Sequence, residues 1–132
     1  MKKILNYMMY PLMGFLIFNL FFRNMAQADG LKAYELMTAG KAVILDVREK
    51  DEIKDGMIKG ATWIPLSDLS SKPDETIKAL KTTLKDKELY VYCRSGNRSG
   101  KFINQIKDSG IKGINIGGYS DLIEKGLLAQ TP

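Results

Sequence analysis

The chain has 132 residues, 45% of them hydrophobic, with 20 basic residues against 15 acidic, one cysteine and no histidine. That length and composition suit one globular domain. Without histidine there is no Ser-His-Asp triad, no Cys-His pair and no His-ligated metal. A single cysteine excludes an intramolecular disulfide and any CxxC zinc or redox motif. Chemistry is left to one thiol, carboxylates, amines, hydroxyls and backbone amides, and no metal or cofactor is expected. The net charge of +5 is inflated by the first 28 residues, which hold Lys2, Lys3 and Arg23 and no acid. The other basic residues are interspersed with acids. Lys50-Asp51-Glu52-Ile53-Lys54-Asp55 reads as a solvated face, and no nucleic-acid stripe is visible.

In chain order, Lys2 and Lys3 precede an uncharged stretch of 19 residues, Ile4 to Phe22, and Ala26-Gln27-Ala28 follows. A basic start, an apolar middle and an Ala-x-Ala end predict a secretory signal peptide over 1–28. The stretch is also near bilayer-spanning length, so an uncleaved membrane anchor is the second reading, against which Pro11, Gly14 and Asn19 weigh. Either way residues 29–132 are expected outside the cytoplasm, in the periplasm or its equivalent, because Lys2 and Lys3 hold the N-terminus inside.

Leu31–Met37 reads as a short helix stopped at Gly40. Val43-Ile44-Leu45 reads as a strand buried on both faces, and Ala61–Ile64 as a second strand ended by Pro65. Pro73–Leu84 is helical, with Pro and acids in its first turn and Ile77, Leu80 and Leu84 on one face. Leu89–Tyr92 is a third strand. Asn97–Ser109 is a helix with Phe102, Ile103 and Ile106 inward and Gly110 as its stop. Ile111–Ile116 reads as a fourth strand and Tyr119–Lys125 as a last helix. Apolar strands alternating with helices predict an α/β fold: a central parallel sheet of four or five strands, helices on both faces. In such sheets ligands bind at the carboxyl ends of the strands.

At one such end lies Cys93-Arg94-Ser95-Gly96-Asn97-Arg98-Ser99, running from a strand into a helix. A tight loop with Gly96 and Asn97 can turn successive N–H groups toward one centre as an anion nest. The helix start adds its dipole, and Arg94 and Arg98 add two charges. All favour thiolate, so the Cys93 pKa is expected well below its free value of about 8.5. The bland alternative, a buried cysteine acting as a small hydrophobe, explains none of these neighbours.

This loop resembles the active-site loop of single-domain rhodaneses, the thiosulfate sulfurtransferases. The resemblance continues through Leu45-Asp46-Val47-Arg48-Glu49, Gly56-Met57-Ile58-Lys59-Gly60-Ala61 and Ile64-Pro65-Leu66 to Gly117-Gly118. It covers nearly all of residues 31–126, and the predicted signal makes small periplasmic rhodaneses of the phage-shock type the nearest relatives. Met57 stands where the family usually has histidine, Leu122 where tryptophan often stands, and Lys50 where proline is common. The strand that normally precedes the first helix is expected to be absent or very short.

The resemblance implies a rhodanese domain over 29–132 in which the Cys93 thiolate takes sulfane sulfur from thiosulfate or a similar small anionic donor. A thiol, or cyanide in an assay, then accepts it. The loop from Arg94 to Ser99 would stabilise the persulfide, Arg94 and Arg98 would bind the donor's sulfonate, and Asp46 and Arg48 would brace the loop region. The rivals are a cysteine phosphatase or arsenate reductase, whose loops run Cys-x5-Arg where this one runs Cys-x4-Arg, and a non-catalytic or sulfur-carrier module. A thiol-disulfide enzyme is disfavoured by the lack of a second cysteine. Nothing in the pattern demands an oligomer, and a membrane enters only if residues 1–28 stay attached.

Overall fold

The computed structural model describes residues 29–132 and, within the preceding segment, Ile17. The expected signal or anchor over 1–28 otherwise lies outside the described residues. Among the described residues no helix is long and apolar enough to cross a membrane.

Residues 29–38 form helix α1, so among the described residues no strand precedes it. Strand β1 (Ala42–Asp46) follows and is buried along its whole length. After it come α2 (Lys50–Ile53), β2 (Met57–Ile58), β3 (Thr62–Trp63), α3 (Leu66–Ser71) and α4 (Pro73–Leu84). Then come β4 (Glu88–Cys93), α5 (Asn97–Ile106), β5 (Gly113–Gly118), α6 (Tyr119–Glu124) and β6 (Ala129–Gln130). The main sheet is parallel throughout, in the order β3-β1-β4-β5, and β2 pairs antiparallel with β6.

Side chains alternate across the two central strands, as period-two geometry requires. Val43, Leu45, Leu89, Val91 and Cys93 face one core with Leu69, Leu80, Leu84, Phe102 and Ile106 from α3, α4 and α5. Ala42, Ile44, Tyr90 and Tyr92 face the other with Ala33 from α1 and Leu122 from α6. The sheet therefore has helices on both faces, as expected. Burial on both sides is why β1 and β4 read as continuous apolar runs.

Three local readings are corrected. The last strand of the main sheet starts at Gly113 rather than Ile111 and runs on to Gly118. Gly110 ends the preceding turn at φ +81, and Ile111 is consumed in docking onto the α4–α5 core before pairing begins. The stretch Lys50–Asp55 is only partly a solvated face: it contains α2, Ile53 is buried, and Glu52 is part-buried in an ion pair. The helix expected over Asn97–Ser109 finishes as a 3₁₀ turn from Lys107.

Beneath the carboxyl end of the sheet lies a buried ionic cluster. The Arg48 guanidinium forks onto Asp46 (Nη2 to Oδ2 2.8 Å, Nε to Oδ1 3.1 Å) and also donates to the Gly56 carbonyl at 2.7 Å. The Tyr92 hydroxyl donates to Asp46 Oδ2 at 2.6 Å and accepts the Ile58 amide at 2.9 Å. Removing that hydroxyl orphans a buried N–H and takes a donor from a buried carboxylate. Tyr92→Phe should therefore destabilise the protein by about 1–3 kcal/mol, read as a lower urea midpoint with an unchanged slope. An unchanged midpoint would mean that the hydroxyl bridge contributes nothing.

Candidate active site

Strand β4 delivers Cys93 to the carboxyl end of the sheet, and Arg94 to Gly96 turn the chain into α5. Gly96 makes this turn at φ +96, a region that side chains other than glycine enter at a cost. The Gly96 amide donates to Cys93 Sγ at 3.0 Å, and the Ser99 hydroxyl lies 3.5 Å from the sulfur. The thiol is fully buried in this resting loop and packs on the α3–α5 side of the sheet. Burial pushes the thiol pKa up, but the Ser99 hydroxyl and the amides of Ser99, Ser95 and Gly96 outweigh it, and the net displacement is downward.

The two arginines part company. Arg94 is exposed and enters no ion pair among the described residues. Arg98 is forked onto Glu52, with both nitrogen–oxygen distances 2.6 Å. Of the two charges expected beside the thiol, that of Arg98 is matched by a carboxylate. Arg98 holds the Glu52 carboxyl down at about 2 against an ordinary 4.5. Ser95 and Asn97 are exposed, Asn97 opening α5, while Ser99 is fully buried. Asp46 and Arg48 bond to each other and to Tyr92, Gly56 and Glu52, not to residues 94–99. They brace the floor under the loop rather than the loop itself.

Two residues escaped the sequence reading. One is Glu52, whose spacing of three from Glu49 is a helix-start signal; its Oε2 accepts the Glu49 amide at 2.8 Å. The other is Asn115. The β4–β5 register shifts after Val91, which pairs with Asn115 while Tyr92 pairs with Gly117. This bulge aims the Asn115 side chain at the loop. Its amide nitrogen donates to the Gly96 carbonyl at 2.8 Å, and its oxygen accepts from Ser99 Oγ at 2.8 Å and the Gly117 amide at 3.0 Å. The following Gly118 lets the loop lie against β5: a Cβ there would stand 2.4 Å from the Arg94 carbonyl oxygen and 3.2 Å from Ser95 Cα.

Residues 31–125 match the rhodanese-like domain family. The chain belongs to that family. The Bacillus subtilis protein YtwF is 36% identical over 75 residues, covering 57% of this chain and 66% of that protein. Human thiosulfate:glutathione sulfurtransferase is 31% identical over 99 residues, covering 68% of this chain and 86% of that enzyme. The crystal structure of a rhodanese-related protein from Thermoplasma volcanium superimposes with a TM-score of 0.62 at 29% identity, over 78% of this chain and 95% of that one. The chain spans 66% and 50% of the Bacillus subtilis relatives YtwF and YqhL and 35% of a third, YrkF. As a rhodanese-like domain it has sulfurtransferases among its relatives.

The Ser99 hydroxyl is foremost among the groups that lower the thiol pKa, so Ser99→Ala should move the inflection of thiol alkylation rate against pH upward. On the acid side of that inflection the variant reacts more slowly, and at high pH it converges on the wild type. Gly118→Ala should force the loop off β5 and destabilise the protein by about 1–3 kcal/mol, read as a lower urea midpoint. A variant with an unchanged midpoint would show that the contact between loop and strand is not needed.

Proposed function

We propose that the protein is a sulfurtransferase that carries sulfane sulfur as a persulfide on Cys93, drawing it from thiosulfate or a similar donor and passing it to a thiol. The observation that carries this reading is the sulfur held at the end of β4 by the Gly96 amide at 3.0 Å, with the Ser99 hydroxyl at 3.5 Å. Fixed N–H dipoles at a strand end suit a sulfur that is anionic both before and after loading.

In the loading step the Cys93 thiolate attacks the outer sulfur of thiosulfate and forms a new S–S bond. The original S–S bond breaks, and sulfite leaves with its electron pair. In the unloading step an acceptor thiolate attacks the outer sulfur of the persulfide, and Cys93 leaves as the thiolate again. Each half-reaction balances without a metal, a redox partner or a proton relay, and the sequence is ping-pong. Arg94, exposed beside Cys93, would meet the donor's oxyanion. Arg98 is committed to Glu52, which weighs against the phosphatase reading: that reading needs the loop arginine free to grip a tetrahedral oxyanion.

The basic, apolar and Ala-x-Ala order of residues 1–28 supports export, and we place the 29–132 domain outside the cytoplasm on that ground, with periplasmic rhodaneses of the phage-shock type as the nearest kind.

The test is mass spectrometry of the purified reduced protein after thiosulfate treatment, beside Cys93→Ser. The wild type should gain one sulfur atom and surrender it to cyanide as thiocyanate, and the variant should do neither. A wild-type protein that stays unmodified with thiosulfate and with organic persulfides would end the sulfur-transfer reading.

A further inference from the structure

The charges around the Cys93 loop do not add up to a strongly cationic site. Arg48 is cancelled by Asp46 in a buried pair. Arg98, on the first turn of α5 and close enough to Cys93 for their charges to interact, is cancelled by Glu52. Glu49 stands beside the same pair, its carboxylate accepting from the Ser67 hydroxyl at 2.7 Å and its charge felt at Arg98. Asp51 and Lys54 pair with each other in solvent. What faces an incoming donor is therefore Arg94, the loop amides and the start of α5.

Glu52 is not there by accident of a flexible side chain. Its carboxylate is fixed from its own side by the Glu49 amide at 2.8 Å and from the loop side by both Arg98 nitrogens. The pair is only about a quarter exposed, 28% for Arg98 and 27% for Glu52. The α2 carboxylate thus subtracts one positive charge from the loop at a set position.

We propose that Glu52 is a specificity-determining residue: by cancelling Arg98 it biases the Cys93 site toward singly charged sulfane donors, such as organic persulfides and thiosulfonates, and away from the dianion thiosulfate. The proposal rests on the sulfur-transfer reading and names its donor class. The physical reason is that a charge placed near the donor acts on every charge the donor bears. Removing the Glu52 charge therefore helps a dianion about twice as much, on a logarithmic scale, as a monoanion.

Thiosulfate and methanethiosulfonate make a matched pair of probes. Both offer a terminal sulfane sulfur to the same thiolate, releasing sulfite and methanesulfinate respectively, and they differ by one unit of charge. The measurement is kcat/KM for Cys93 loading by each donor, in the wild type and in Glu52→Gln. Glutamine keeps one acceptor oxygen for the Glu49 amide and removes the charge, its amide nitrogen replacing the oxygen that held the second Arg98 nitrogen. At low salt the variant should gain about threefold with methanethiosulfonate and about tenfold with thiosulfate, so the thiosulfate-to-thiosulfonate ratio rises about threefold. High salt should shrink that rise. A change in the thiolate fraction of Cys93 scales both donors alike and drops out of the ratio, as does a general loosening of the fold.

A ratio that is unchanged or falls in Glu52→Gln overturns the assignment. A second measurement needs no variant: across a salt series the wild-type ratio should move less than about twofold, because Arg94 is the one arginine by the loop left unmatched among the described residues. A steep fall with salt would reveal a strongly cationic site and also overturn it. If the wild type takes sulfur from neither donor, both this proposal and the sulfur-transfer reading are lost. If it takes sulfur from both while the ratio ignores Glu52, only the Glu52 assignment is lost.

Discussion

The Asp46–Arg48 pair is the constraint on which the rest of this architecture depends. Taking two ions out of water costs several kcal/mol for each unless partners replace the lost hydration. Here the partners come from four places in the chain. The Arg48 amide and guanidinium serve Asp46, and so does the Tyr92 hydroxyl on β4. The Gly56 carbonyl, just before β2, takes an Arg48 proton, and the guanidinium carbon lies 4.2 Å from the centre of the Tyr119 ring on α6. No one of these segments can leave without stranding a buried charge. That couples β1, β4, the β2 approach and α6 into one unit under the active loop.

The same unit sets the electrostatics above it. Between Arg48 and Gly56 the chain makes the single turn of α2, and Glu52 leaves that turn toward Arg98. The loop can spend an arginine this way because the sulfur does not depend on it. Cys93 is stabilised at short range by amides and a hydroxyl, which are fixed dipoles that salt screens poorly. The ionic groups are then left to choose what approaches. Separating stabilisation of the reacting atom from recognition of the incoming anion is the main lesson of the site.

Enclosure is the other property of the loop. Gly118 allows the Arg94–Ser95 backbone to lie against β5, and Asn115 ties the Gly96 carbonyl and Ser99 to that same strand. The Cys93 side chain beside this tie is fully buried.

Much of this was legible in the residues themselves. Helix α4 could be read to its ends because Pro73, the acids beside it and the Leu80–Leu84 spacing are local signals. Strands β1 and β4 announced themselves as apolar runs. The Cys93–Ser99 segment showed its chemistry because the thiol, the left-handed glycine turn and the helix start are consecutive in sequence. What escaped was short or distant. Helix α2 and the strand pair β2–β6 are too brief to show a period, and each is held by tertiary contacts. Arg98 meets Glu52 across 46 positions, and Asn115 meets Gly96 across 19. Composition and local pattern thus determined the fold class, the sheet and the place of the lone cysteine at a strand end, because backbone preference and burial act between near neighbours. Which arginine stays unpaired among the described residues, which carboxylate matches the other, and which strand the loop is tied to were decided only when the sheet brought distant residues within hydrogen-bonding reach.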